Sequence, residues 1–164
     1  MTVYAFHPSP IGPLLLVGDP DGTAGVRLQR VLMEDQRHGV PVGADWREDP
    51  APFTEVERQL DEYFAGERRS FDLALDPHGT PFQLAVWMQL RTIPTGQTTT
   101  YGEVAARLGK PSASRAVGAA VGRNPISVIV PCHRVVGASG ALTGFAGGLD
   151  RKRTLLTLEG AMTG

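Results

Sequence analysis

The feature that most constrains this chain is a break at Pro77-His78-Gly79-Thr80, where two stretches of different charge and different hydrophobic period meet. Residues 1–76 hold 7 Lys and Arg against 14 Asp and Glu, and residues 77–164 hold 9 against 3. A formal charge of −7 is thus followed by one of +6 within a total of −1. An acidic module followed by a basic one, the second facing a polyanion, is the expected division; chance segregation over a short chain is the alternative. At 41% hydrophobic and 20% charged residues the composition is that of a folded soluble protein, with enough length for one medium domain or two small ones. No apolar run approaches the roughly 20 residues of a membrane helix. The opening MTVYAFHPSP has neither the basic nor the apolar region of a secretory signal. One cysteine cannot form an intrachain disulfide, so a reducing, cytoplasmic setting is expected, in which a lone thiol can stay reactive.

The acidic stretch reads as strands, turns and one helix. SPIGPLLLVGDPDG carries an apolar run into a turn cluster, and TAGVRLQRVLM follows as a second short strand. Residues 34–51 read as a long surface loop. In FTEVERQLDEYFAG, Phe53, Val56, Leu60, Tyr63 and Phe64 recur at three- and four-residue steps, which predicts a helix stopped by Gly66. SFDLALD alternates Phe71, Leu73 and Leu75 as a half-buried strand.

The basic stretch is helical. Pro81 opens a helix with Phe82, Val86, Leu90 and Ile93 on one face. Thr100 and Glu103 have capping-box spacing, which starts a helix near Tyr101; Gly109 and Pro111 end it. A second helix runs from Ser112 or Ala113 to about Gly122, giving a helix-turn-helix pattern. After Asn124-Pro125, the buried run ISVIV delivers PCHRVV, and a Gly-rich loop leads to a last helix over about 151–158. The expected fold class is α/β of the α+β kind. A small sheet-plus-helix unit at 1–76 precedes a mainly helical unit at 77–164 with a helix-turn-helix and an active-site loop.

Chemistry concentrates at Pro131-Cys132-His133-Arg134. A free thiol is mostly protonated at neutral pH and needs a base, and the base needs a carboxylate to orient it. His133 is the adjacent base. Of the three carboxylates in the basic stretch, Glu103 is explained as a cap and Asp150 by a helix start. Glu159 is left as the orienter. In an extended segment neighbouring side chains point to opposite faces, so Cys132 and His133 meet only across a turn or through a water. The alternative for a lone cysteine is an inert buried residue. The helix SASRAVGAAVG has small side chains that suit close approach to a narrow groove or an extruded base, with Arg115 near its start; burial inside the protein is the alternative. Tyr101 and Asn124 have packing and turn roles as their plain readings. His7, His38 and His78 read as surface residues without metal-ligand spacing, and Trp46 and Trp87 as loop-surface and core.

TTYGEVAARLG, SRAVGAAVGRNP, VIVPCHRVVGASGALTGFAGG and LLTLEG, in this order, closely resemble the catalytic domain of the O6-alkylguanine-DNA alkyltransferases. SPIGPLLL and LDEYFAGE resemble that family's amino-terminal domain more weakly. The resemblance implies single-turnover repair, with an alkyl group moving from O6-alkylguanine (and O4-alkylthymine) in flipped-out bases to Cys132. It implies that His133 takes the thiol proton through a water, that Glu159 stands behind His133, and that Asn124 braces the active-site turn. Tyr101 is implied to contact the flipped guanine and its phosphate, Arg115 to replace the extruded base, and Ser114 to lie with it among the DNA contacts. The carbonyls of Val135 and Cys132 are implied to accept from the guanine amine, and the Ala146 N–H to reach O6. Phe145 stands where tyrosine is frequent, and Ala146 where some members have serine. Zinc ligands and a sensor domain found in some members are absent. No metal, cofactor, membrane or obligate protein partner is expected; the partner is duplex DNA containing O6-alkylguanine. Two rival classes are a non-catalytic binder of alkylated DNA, which the intact Cys132, His133 and Glu159 set argues against, and a cysteine hydrolase, for which no oxyanion hole is visible.

Overall fold

In the computed structural model, which describes residues 1–162, the acidic stretch builds a four-stranded sheet on one helix. Strands β1 (Val3–His7), β2 (Leu14–Pro20), β3 (Val26–Met33) and β4 (Arg47–Glu48) lie in the order β3-β2-β1-β4. β1 and β3 flank β2 antiparallel, and β4 runs parallel to β1. The β2–β3 register shifts between Val17 and Gly18, where a Cβ on Gly18 would stand 2.3 Å from the Arg27 carbonyl oxygen; only glycine permits that approach. Helix α1 (Thr54–Phe64) presents Val56, Leu60 and Tyr63 to Val3, Leu14, Leu16 and Leu28 in the core, as the three- and four-residue spacing requires. The opposite face of the sheet carries Leu15, Val17 and Leu32 under Tyr4, Val40 and Trp46, so Trp46 is half-buried rather than a loop-surface residue.

Two other expectations for this half are corrected. SFDLALD is not a strand: it meets β3 only at a Leu28–Leu75 bridge, and Phe71, Leu73 and Leu75 pack partly buried against the core. Alternation set burial here, but among the described residues no neighbouring strand extends the ladder. His7 is buried, because its two ring nitrogens lie 2.8 Å and 2.7 Å from the carboxylates of Glu57 and Asp61 on α1; satisfied polar contacts override the polar residue's preference for the surface.

The basic stretch follows as α2 (Pro81–Leu90), β5 (Thr99–Thr100), α3 (Tyr101–Arg107), α4 (Ser114–Gly122), β6 (Val135–Val136) and α5 (Leu149–Leu158). β5 and β6 pair in parallel. α4 begins at Ser114 with Ala113 as its cap, slightly later than expected, and α5 begins slightly earlier, at Leu149. Thr100 accepts from the Glu103 N–H at 3.1 Å, but the Glu103 carboxylate accepts from Thr99 Oγ1, so only half of the expected capping box forms there. A full box closes instead at Thr80 and Gln83, at the head of α2. Trp87 is core as expected, its indole N–H donating to the Ala120 carbonyl of α4 at 2.8 Å. A single apolar cluster runs through both stretches, from Val3 to Leu155.

Candidate active site

The reactive turn is laid down by the edge of the sheet. Val31 of β3 donates to the Pro125 carbonyl at 2.9 Å and accepts from the Ser127 N–H at 3.1 Å. Asn124 spans the same turn from inside: its Oδ1 accepts from the Ile126 N–H at 3.0 Å, and its amide donates to the Val130 carbonyl at 2.8 Å. Together they hold fully buried Val128 at φ +73°, a conformation that crowds a β-branched side chain. The chain then closes a single 3-10 turn over Cys132–Arg134. Neighbouring side chains in such a turn are not forced to opposite faces, so the constraint of an extended segment does not apply. Cys132, His133 and Arg134 are all buried.

His133 Nε2 lies 2.7 Å from Glu159 Oε2. A carboxylate only accepts, so Nε2 carries the hydrogen and Nδ1 of the neutral ring presents a lone pair. Nδ1 has no partner among the described residues. Glu159 is the C-cap of α5 and is further held by Arg134, whose Nε and Nη2 donate to Oε1 and Oε2 at 2.8 Å and 2.9 Å. Arg134 also donates to the Ile93 carbonyl at 2.6 Å and to Thr95 Oγ1 at 3.0 Å. Tyr63 of α1 donates to Glu159 Oε2 as well. Burial opposes the charge on Glu159, but the donors from His133 and Arg134 win and hold its carboxyl down to about 2. Burial also lowers His133, with Glu159 opposing. Burial pushes the Cys132 thiol up, against the nearby Asn124 amide and Lys152 ammonium.

Lys152 is fully buried, and its partners among the described residues are carbonyls: Val135 at 2.6 Å, Thr143 at 2.6 Å and Gly144 at 3.3 Å. It ties the Gly-rich loop to β6, and burial pulls its ammonium down to about 8 while Cys132 opposes the shift. Sequence reading did not find Lys152, Arg134 or Tyr63. Lys152 sits in the run DRKR, where nothing separates it from Arg151 and Arg153 except helical phase. Arg134 was visible inside PCHR but without a role. Tyr63 reads in the sequence as one member of an apolar face.

Tyr101, Phe145 and Ala146 line a cleft of about 200 Å³ beside Gly118 of α4, with Arg37 and His38 reaching it from the β3–β4 loop. The Tyr101 hydroxyl pairs with Thr143 Oγ1 at 3.2 Å, and the Arg37 N–H donates to the Ala146 carbonyl at 2.7 Å. Cys132 does not line the cleft and is 4% exposed. The Val135 carbonyl takes Lys152 and the Cys132 carbonyl takes the Val135 N–H, leaving each oxygen a second lone pair. Ser114 and Arg115 are exposed at the start of α4, and Arg115 makes no ion pair among the described residues. Those residues likewise hold no cluster of three metal-ligating side chains and no helix long and apolar enough to cross a membrane.

Comparison with known proteins places two family matches on the chain. Residues 81–161 match the family described as 6-O-methylguanine DNA methyltransferase, DNA binding domain, and residues 2–77 match 6-O-methylguanine DNA methyltransferase, ribonuclease-like domain. A methylated-DNA–protein-cysteine methyltransferase of Methanosarcina acetivorans is 53% identical over 96% of this chain and 98% of its own length. One of Mycobacterium tuberculosis is 50% identical over 97% and 93%. The crystal structure of Mycobacterium tuberculosis OGT in complex with DNA superposes with a TM-score of 0.88 at 49% identity, covering 97% of this chain and 93% of that one. An O6-methylguanine-DNA methyltransferase of Pyrococcus kodakaraensis superposes at 0.65 and 25% identity, covering 98% and 99%.

Proposed function

The chain belongs to the 6-O-methylguanine DNA methyltransferase family, and on that premise we propose that it reverses DNA alkylation directly, moving the alkyl group of O6-alkylguanine, and of O4-alkylthymine, to Cys132. The observation that carries this reading is the sole thiol of the chain, set in a buried turn beside an imidazole whose Nε2–H is committed to Glu159 and whose Nδ1 has no partner among the described residues. Guanine O6 lies inside the duplex, so the base is flipped out before it reacts. The Cys132 proton passes through one water to His133 Nδ1, and Glu159 stabilises the imidazolium through Nε2–H. The Sγ thiolate attacks the alkyl carbon and forms the S–C bond. The C–O6 bond breaks with its electron pair going to oxygen, and the guanine is protonated as it leaves. The thioether persists, so one molecule repairs one lesion.

Residues 1–76 serve as the scaffold domain and residues 77–164 as the DNA-binding and catalytic domain. Asn124 braces the turn. Tyr101, Phe145 and Ala146 receive the flipped base in their cleft, Val135 accepts from its amine, and Ser114 and Arg115 meet the DNA at the head of α4. The reaction runs without cofactor in the cytoplasm. Incubation with duplex containing O6-methylguanine is expected to add one methyl mass to the peptide holding Cys132, at no more than one equivalent. Transfer at the wild-type rate in Cys132→Ser, or repeated turnover, would overturn the assignment.

A further inference from the structure

Among the described residues Glu159 receives four donor contacts, and one of them comes from the acidic half of the chain. Oε2, the oxygen facing His133, accepts from His133 Nε2, from Arg134 Nη2 and from the Tyr63 hydroxyl; Oε1 accepts from Arg134 Nε. Tyr63 is 2% exposed on the inner face of α1, and its ring is fixed by Phe64 at 5.1 Å and Phe71 at 5.4 Å. A phenol in an apolar cluster carries a desolvation cost unless its O–H is used, and here the O–H points out of that cluster at the carboxylate. Burial and the charge of Glu159 both push the Tyr63 hydroxyl up, so it remains a donor.

A buried carboxylate with few donors concentrates its charge and drives a neighbouring imidazole toward imidazolium, which cannot accept a proton. Each donor to Oε2 spreads that charge. We propose that Tyr63 is a positioning residue that tempers Glu159, holding its carboxylate toward His133 while keeping the imidazole neutral and able to take the thiol proton. The groups facing His133 are Cys132 and Arg134 on its own turn, Lys152 and Glu159 from α5, and Tyr63 from α1 through Glu159. The first three do not offset the loss of Tyr63: Arg134 and Lys152 already lower His133, and Cys132 is neutral until it reacts. The amino-terminal half thereby sets the protonation of the base in addition to holding the turn through Val31. This inference rests on the proposed Cys132, His133 and Glu159 chemistry.

The test is the pH profile of the single-turnover rate with free O6-benzylguanine, which removes DNA binding and flipping from the measurement. Tyr63→Phe keeps the ring and removes one donor, so the limb on the acid side should move to higher pH by roughly half a unit to one unit. Duplex affinity should stay within about twofold, since Tyr63 neutralises no phosphate. On a Glu159→Gln background the same change should produce no further shift. If Tyr63→Phe is poorly folded, 3-fluorotyrosine placed at position 63 is the second probe: a stronger donor, it should move the limb to lower pH. A limb unmoved by both substitutions overturns the proposal. If instead His133→Ala and Glu159→Gln transfer at the wild-type rate, the proton-relay reading has failed and Tyr63 is not at issue.

Discussion

Lys152 carries a charge in full burial with only carbonyl oxygens as hydrogen-bond partners, and the Cys132 thiol is the acidic group that opposes the downward shift of its ammonium. The coupling is mutual, since the ammonium opposes the upward push of burial on Cys132. Lys152→Met keeps the length and removes the charge. It should raise the thiol further and lower the thiolate fraction at neutral pH, because the ammonium that opposes the push of burial is gone. Ultraviolet thiolate absorbance against pH reads the shift, and the rate with free O6-benzylguanine should fall with it. An unchanged titration would leave Lys152 as a loop tether only. Arg134, by contrast, works through geometry: its planar fork holds both oxygens of the Glu159 carboxylate, which an ammonium could not replace.

Among the elements, the pair α3 and α4 carries the nucleic-acid reading. The face of α4 that packs inward is Val117, Ala120 and Val121, and the residues left outside at its start are Ser114, Arg115 and Ala116. Small side chains there offer few groups for reading base edges, so duplex binding should show little sequence preference. Arg115 is expected to fill the gap left by the flipped base by stacking and planar hydrogen bonds. Arg115→Ala and Arg115→Lys should both lose repair of duplex DNA, by tenfold or more in rate on the order expected for a lost stacked contact, yet keep reaction with free O6-benzylguanine. Repair of duplex by Arg115→Lys at the wild-type rate would reduce Arg115 to a phosphate contact.

At the scale of the whole molecule, the apolar core runs through both halves, and they are also joined by Tyr63 at Glu159 and by Val31 at the Pro125–Ser127 turn. Loss of charge on Glu159 should therefore be felt as loss of fold. Its carboxyl is held at about 2 against an ordinary value near 4.5. A depressed carboxylate contributes stability that is present above the ordinary value and lost as pH falls toward the folded one, here about 3 kcal/mol between pH 4.5 and 2. His133, also lowered, acts in the same direction: the unfolded chain takes up a proton below its ordinary value near 6.5 that the folded chain refuses. Urea denaturation midpoints should fall steadily as the solution is acidified, and Glu159→Gln should flatten the lower part of that curve. An equal pH slope in wild type and Glu159→Gln would show that the carboxylate is not the acid-sensitive group.

The residues proposed for the relay, and most of the elements that carry them, were legible without coordinates. PCHR sets a thiol beside a candidate base, elimination among three carboxylates left Glu159, and periodicity outlined α1 and α2 while the Thr100–Glu103 spacing and the Gly109 and Pro111 stops outlined α3, because these depend on short-range spacing and on residue chemistry. Which carboxylate oxygen meets which donor was not legible. Tyr63 and Glu159 are 96 positions apart, and a tyrosine in a regular apolar face gives no sign that its hydroxyl leaves the core. Lys152 looks like its exposed-type neighbours until the phase of α5 turns it inward. SFDLALD alternates like a strand but finds no partner beyond one bridge, and His7 reads as a surface residue until α1 brings two carboxylates to it. Local pattern determined most of the elements and singled out Cys132, His133 and Glu159 as the candidate trio. The tertiary structure decided which buried charges are shared and by whom, because hydrogen bonds between distant side chains depend on where the core places them and leave no period in the chain.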